Sequence, residues 1–272
     1  MCAIFGIGFQ RGHSLRDNAA AKKLLRNMFL ENERRGRTSS GLAYVSPYKI
    51  SVIKKDVKAS DFIFLPEYRA AEDEYINLER KNPQVREVDF NPISIIGHCR
   101  QKTKGTEKDN KNNHPIVRSR VVGVHNGIIS NDDQLFEDHE THFNRNGRVD
   151  SEIIFALIEH YSGNAGKIDD AIKKAVNELW GSMACAMVHK CQPYIVWLFR
   201  LHSPCTIMHF PDTGIILWSS EDYYIENATA DLSFLGKPVE IPFPAKSGIA
   251  FDFYKNRTYR FGLKEEGAYA HA

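Results

Sequence analysis

The sequence predicts an α+β fold in which sheets and helices stack in layers. Two observations carry that expectation. Short β-rich runs and isolated helices open the chain, two strongly periodic helices occupy its middle, and a further series of β-rich runs follows. Strands and helices do not alternate regularly, so the rhythm of a doubly wound parallel sheet is missing. No linker-like stretch, low-complexity tract or repeat interrupts the 272 residues, and one domain spanning 1–272 is expected.

Taken in order, "CAIFGIGF" is a short apolar run that reads as a buried strand. Asp17 to Glu33 reads as a helix with Leu24, Leu25, Met28 and Phe29 on one face. "SGLAYV" and "ISVIKK" read as strands parted by the turn signal "SPYK". Glu67 to Lys81 reads as a helix that stops before Pro83. "PISIIGH" and "RVVGVHNG" are further β-rich runs, and Asn-Gly in the latter is a strong hairpin-turn signal. Asp150 to Tyr161 has helical spacing at Ile153, Ile154, Leu157 and Ile158, with acids in its first turn. Asp169 to Trp180 is a second such helix. "SMACAMVH", "PYIVWLF", "TIMHF", "GIILWSS", "SGIAFDFY" and "TYRFG" then read as strands, and the tail "KEEGAYAHA" as mobile.

Formal net charge is +2, so no global attraction to nucleic acid or membrane is indicated. The basic clusters "ENERRGR" and "RQKTKG" read as solvated faces or a small-anion site. There is no apolar run long enough to span a membrane and no signal peptide at the start. Five cysteines without a CxxC pair argue against a disulfide framework or a zinc site and point to a reducing, cytoplasmic setting. No carboxylate–histidine cluster shows metal-ligand spacing, and there is no GxGxxG or P-loop pattern. No metal or cofactor is expected.

The thiol directly after Met1 is the first chemical feature. Removal of Met1 would leave Cys2 carrying its own base, the free α-amine, whose ordinary pKa is about 8. Taken alone, Cys2 also fits a core cysteine on an edge strand.

Five segments in order answer the question that Cys2 raises. "MCAIFGI", "RRGRTSSGLA", "GHCRQKTKGTEKDNKNNHPI", "VHNGIISN" and "VDSE" together resemble the class II, N-terminal-nucleophile glutamine amidotransferases. Nearest in pattern are the glutaminase domains of glucosamine-6-phosphate synthase and phosphoribosylpyrophosphate amidotransferase. The resemblance covers residues 2 to 160 and implies a four-layer αββα sandwich of the N-terminal-nucleophile hydrolase type, with the nucleophile at the end of a central strand. It also implies hydrolysis of glutamine to glutamate and ammonia through a thioester on Cys2.

By the same resemblance, Asn126 and Gly127 supply the oxyanion hole, two donors for the charge that develops on the amide oxygen. Arg100 clamps the α-carboxylate of glutamine with its guanidinium fork, and Thr103 adds a hydroxyl. Asp150 receives the α-ammonium; as a bare sequence feature it reads equally as an acid favoured at a helix start. Arg35, with Gly36, supports the backbone of the N-terminus. His98, His114 and His125 are read as loop packing, since the terminal amine serves as the base.

Gln101 stands where the synthase branch has an aromatic residue, and Lys104 where it has a histidine. Thr38 replaces a common acidic residue, which predicts looser local hydrogen bonding. The stretch "PEYRAAEDEYINLERK" reads as a lid, a docking surface or a solvated helix. Without a recognisable synthetase segment, ammonia is expected to pass to a separate acceptor subunit. An amidohydrolase of a γ-glutamyl compound and a catalytically silent binding module are the other readings of the same residues.

Overall fold

The computed structural model describes residues 2–15, 17–76, 93–163 and 167–263. Met1, residues 77–81 of the expected third helix and the tail from Lys264 lie outside the described residues. The first half runs β1 (Ala3–Phe9), α1 (Asn18–Asn32), β2 (Ser39–Val45), β3 (Ile50–Lys55), α2 (Ala59–Phe62), α3 (Pro66–Tyr75) and β4 (Ser94–Arg100). Next come β5 (Ile116–Val117), β6 (Val121–Ile129), α4 (Asp132–Asp138), α5 (Ser151–Ser162) and α6 (Ile168–Glu178). The rest is β7 (Gly181–His189), β8 (Gln192–Arg200), β9 (Thr206–Phe210), β10 (Ile215–Ser219), α7 (Asp222–Thr229), β11 (Val239–Glu240), β12 (Ser247–Asp252) and β13 (Arg257–Gly262).

These strands form two sheets. One has the order β11-β9-β10-β1-β4-β2-β3, the other β13-β12-β8-β7-β6-β5. The sheets share a dry core of Ile4, Ile96, Val124, Ala186, Leu198 and Trp218 among others. On the outer face of the first sheet, Phe5, Ile7 and Phe9 pack with Leu24, Met28 and Phe29 of α1 and Tyr68 of α3. On the outer face of the second, Met183, Cys185 and Phe199 pack with α5 and α6. The result is the expected layering of helix, sheet, sheet and helix.

Strand β1 follows period two without exception. Its odd-numbered residues from Ala3 to Phe9 face the helices, and Ile4 faces the second sheet. Gly6 and Gly8 continue the inner face. A Cβ on Gly6 would lie 2.1 Å from the Trp218 indole and 2.4 Å from the Ile95 carbonyl oxygen. The glycine is therefore the space that lets the largest core side chain lean over its neighbour strand.

Helix α1 is capped by Asp17, whose side chain accepts from the Ala19 N–H at 2.8 Å. Its predicted apolar face is buried. Helix α5 departs from a single-faced reading: Phe155 and Ala156 are buried along with the predicted positions, because β6, α4 and α6 enclose it. Helix α3 is no solvated lid. Tyr68, Ala71 and Tyr75 belong to the core, and buried Glu72 pairs with Arg26. Short β5, α4, α7 and β11 were not expected, since they are too brief to show a period.

Gly6→Ala is expected to destabilise the fold by about 1–3 kcal/mol. The measurement is the urea midpoint at unchanged m-value.

Candidate active site

The first sheet decides where Cys2 sits. β1 is hydrogen-bonded to β10 on one side and β4 on the other, with Ala3 opposite Cys99 and Phe5 opposite Ser219. It is a central strand, as the resemblance implies, and the alternative edge-strand reading of Cys2 does not hold. Cys2 stands one residue ahead of this ladder, half-buried. Its thiol donates to the Gln101 carbonyl at 3.4 Å. Burial pushes the thiol pKa up; the Arg100 guanidinium pulls it down and the Asp150 carboxylate pushes it up.

Arg35 reaches the same residue from the loop after α1. Its Nε donates to the Cys2 carbonyl at 3.0 Å, and its guanidinium pairs with Glu221. Gly36 lets this loop lie on the end of β4, where an added Cβ would stand 2.3 Å from the Cys99 carbonyl oxygen. Thr38 then donates to the Arg100 carbonyl through both its N–H, at 2.9 Å, and its hydroxyl, at 2.8 Å. The expected loosening at Thr38 does not occur.

Arg100 ends β4 and is buried. It donates to Asn113 Oδ1 at 3.0 Å, the Lys104 carbonyl at 2.6 Å and the Gly105 carbonyl at 3.0 Å. These contacts use three of the five guanidinium N–H groups and leave two for a ligand. The loop it grips is also held outside. Lys104 Nζ lies 2.7 Å from Asp132 and 2.9 Å from Asp133 at the start of α4, and Arg145 joins Asp132 at 2.8 Å. Thr103 is exposed on this loop. The basic clusters of the sequence are thus largely paired within the fold, Arg34 with Glu31 and Arg37 with Glu33 included.

Asn126 and Gly127 lie inside β6, opposite Ala184 and Met183. They form no hairpin turn, which corrects the local Asn-Gly signal: nine residues of ladder outweigh a dipeptide preference. Gly127 has φ +154°, and a Cβ there would meet the Ser182 carbonyl oxygen at 1.9 Å. Ser220, fully buried, joins this strand to β1. Its hydroxyl oxygen accepts from the Ile4 N–H at 3.0 Å and from Asn126 Nδ2 at 3.3 Å.

Asp150 does not cap its own helix. Its carboxylate turns back and accepts the Ile129 N–H at 2.8 Å, tying the loop before α5 to the end of β6. Glu152 braces the same loop. It accepts from the N–H groups of Asn146 and Gly147 at 2.9 and 2.7 Å and pairs with buried Arg118 at 2.8 Å.

Three buried histidines lie beneath. His98 Nε2 donates to the His125 carbonyl at 3.0 Å, His125 Nδ1 meets Ser151 Oγ at 2.8 Å, and the His98 and His114 rings stack at 4.0 Å. Burial holds all three imidazoles below their ordinary range, His98 at about 3. His98 and His125 belong to strands β4 and β6, and only His114 lies in the loop position expected of all three.

Folding therefore draws Cys2, Arg35, Gly36, Arg100, Asn126, Gly127 and Asp150 around the start of β1, with Thr103 on the loop above. Cys2 lies within electrostatic reach of Arg100 and Asp150, and Asn126 is linked through Ser220 to Ile4 of β1, two residues after Cys2. Residues 98–225 match the family described as "Glutamine amidotransferase domain". Over that segment the chain is similar to glutamine amidotransferase domains. The chain is similar to the glutamine–fructose-6-phosphate aminotransferase (isomerizing) of Shouchella clausii, 25% identical over 284 residues, 100% of this chain and 42% of that protein. It is 24% identical over 234 residues to the 7-cyano-7-deazaguanine synthase of Sulfolobus acidocaldarius, covering 85% of this chain and 45% of that one. Among solved structures, glutamine phosphoribosylpyrophosphate amidotransferase from B. subtilis aligns with a TM-score of 0.64 at 16% identity, over 97% of this chain and 49% of that chain. The last likeness shows the fold. The chain spans less than half the length of these relatives.

Ser220, Glu152, Ser151 and the Asp132–Asp133 pair escaped the sequence reading. Single serines and acids at helix starts or in loops carry no period and no spacing that marks them. Only "VDSE", which contains Ser151 and Glu152, offered a local signal for two of them.

Ser220→Ala removes the acceptor shared by Ile4 and Asn126, and a loss of about 1–3 kcal/mol is expected in chemical denaturation. The histidines predict a pH dependence. Their folded pKa values lie below the unfolded value of 6.5, so the unfolded chain binds more protons as pH falls through 6.5. Stability is full above that pH and drops below it, by up to about 1.4 kcal/mol per pH unit for each ring. Urea midpoints between pH 7 and about pH 5, above the carboxylate range, check the sign.

Proposed function

We propose that this chain is a glutaminase unit that hydrolyses glutamine to glutamate and ammonia through a γ-glutamyl thioester on Cys2. The ammonia then passes to an acceptor enzyme, carried on a separate subunit. One observation carries the reading: Cys2 is held at the end of a central strand, within the electrostatic reach of both Arg100 and Asp150. A zwitterionic amino acid needs both charges, and a buried cation and carboxylate beside a thiol supply them.

Removal of Met1 frees the α-amine of Cys2. The sheet does not depend on Met1, because β1 pairing begins at Ala3. The amine takes the thiol proton, and the sulfur attacks the side-chain carbonyl carbon of glutamine. Asn126 Nδ2 and the Gly127 N–H stabilise the resulting oxyanion. The carbon–nitrogen bond breaks, the nitrogen leaves as ammonia with the proton held on the amine, and water cleaves the thioester to give glutamate. Arg100 and Thr103 hold the α-carboxylate and Asp150 the α-ammonium. Arg35 and Gly36 position the Cys2 backbone throughout. No described helix is long and apolar enough to cross a membrane.

Cys2→Ala is expected to lower glutamine hydrolysis by about a thousandfold or more. Asp150→Asn should act mainly on KM for glutamine. Intact-mass analysis after treatment with a glutamine-analogue diazoketone checks the nucleophile: an adduct on the Met1-free chain at Cys2 is expected, and full activity of the alanine variant would overturn the mechanism.

A further inference from the structure

The ends of α4 and α5 remote from the candidate active site carry a second cluster. His139 closes α4, His142 follows in the next turn, and His160 sits in the last turn of α5. One nitrogen from each lies within 4.8 Å of the others. Their spacing along the chain gives no sign of this, because His160 arrives only through the packing of α4 on α5.

We propose that His139, His142 and His160 bind one divalent transition-metal ion of the Zn²⁺ class, with Glu178 orienting His139. His139 Nε2 donates to Glu178 Oε2 at 2.9 Å. That contact fixes the tautomer, so Nδ1 carries the free lone pair. Nδ1 is buried and has no hydrogen-bond partner. A carboxylate behind the far nitrogen of an imidazole is the usual outer support of a metal-bound histidine. Glu178 is itself held, by the Tyr161 hydroxyl.

Three nitrogens about 2.1 Å from a tetrahedral ion stand about 3.4 Å apart. The cluster needs to close by up to about 1.4 Å from its 4.8 Å separation, and His142 and His160, whose rings stack at 4.6 Å, have the room to rotate. Both also line a cavity of about 340 Å³ with Arg118 and Glu159, which gives water space at the remaining coordination position. Imidazole nitrogen suits Zn²⁺, Cu²⁺ or Ni²⁺, and the lack of a carboxylate in the inner set disfavours Mg²⁺ and Ca²⁺.

The consequence is structural. The ion would clamp α4 to α5, whose opposite ends hold the Asp132–Asp133 pair that grips Lys104 and the loop carrying Asp150. A twelve-residue helix is about 18 Å long, so the metal takes no part in chemistry at Cys2.

The test uses the full chain stripped with EDTA, titrated with ZnCl₂ by calorimetry and with CoCl₂ by visible absorption. One bound equivalent is expected, with the d–d bands of four-coordinate Co²⁺ and a Zn²⁺-dependent rise in Tm. Cys2→Ala should keep all three. Glu178→Gln should weaken binding about 10- to 100-fold, and His142→Ala/His160→Ala should abolish it. Their rings project from the surface, and the metal-free Tm of the double variant should match the parent; His142→Gln gives the same readout from a single change. Undiminished binding in these histidine variants, no binding to the parent, or a thiolate-to-cobalt charge-transfer band overturns the proposal.

Discussion

A chain terminus normally frays, and a catalytic group placed there has no fixed position. Here the second residue adjoins a strand that is paired on both edges and buried on both faces. Ile4, Gly6 and Gly8 lie against the second sheet while Phe5, Ile7 and Phe9 lie under α1. The two-sided burial of β1 immobilises the start of the chain, and every other feature of the site is referenced to it. Arg35 meets a carbonyl that stays in place, and Ser220 joins a strand that cannot slip. A register shift of one residue would send the phenylalanines into the sheet interface and is excluded by volume.

The polar groups around Cys2 are organised by the same economy of space. Buried donors and acceptors must be paired, and most here are paired to the backbone rather than to one another. Arg100 holds three loop acceptors, Asp150 an N–H of β6, and Glu152 two N–H groups of the loop before α5. Such contacts fix the positions of the charged groups. They also explain the neutral histidines, since a third layer of charge under Arg100 would have no compensation in a low-dielectric interior.

Helices α4 and α5 extend this arrangement outward. Their near ends brace the loops that carry Lys104 and Asp150. Their far ends meet at His139, His142 and His160, where nothing in the proposed glutaminase chemistry requires histidine. The two ends are joined by rigid hydrogen-bonded helix, so a restraint at one end is felt as position at the other.

The sequence by itself determined the layered α+β class, most strands, and α1, α5 and α6, because period and apolar run length are local properties that survive without a partner. Five ordered motifs also named Cys2, Arg100, Asn126, Gly127 and Asp150 as companions. The central place of β1 is the one the resemblance implied. Tertiary structure alone decided that Asn126-Gly127 continues a strand rather than turning, and that Asp150 serves β6 rather than its own helix. It alone supplied Ser220 and the histidine cluster. These outcomes depend on contacts between residues far apart in the chain, and the balance of ladder hydrogen bonds and buried volume that settles them has no counterpart in any local stretch.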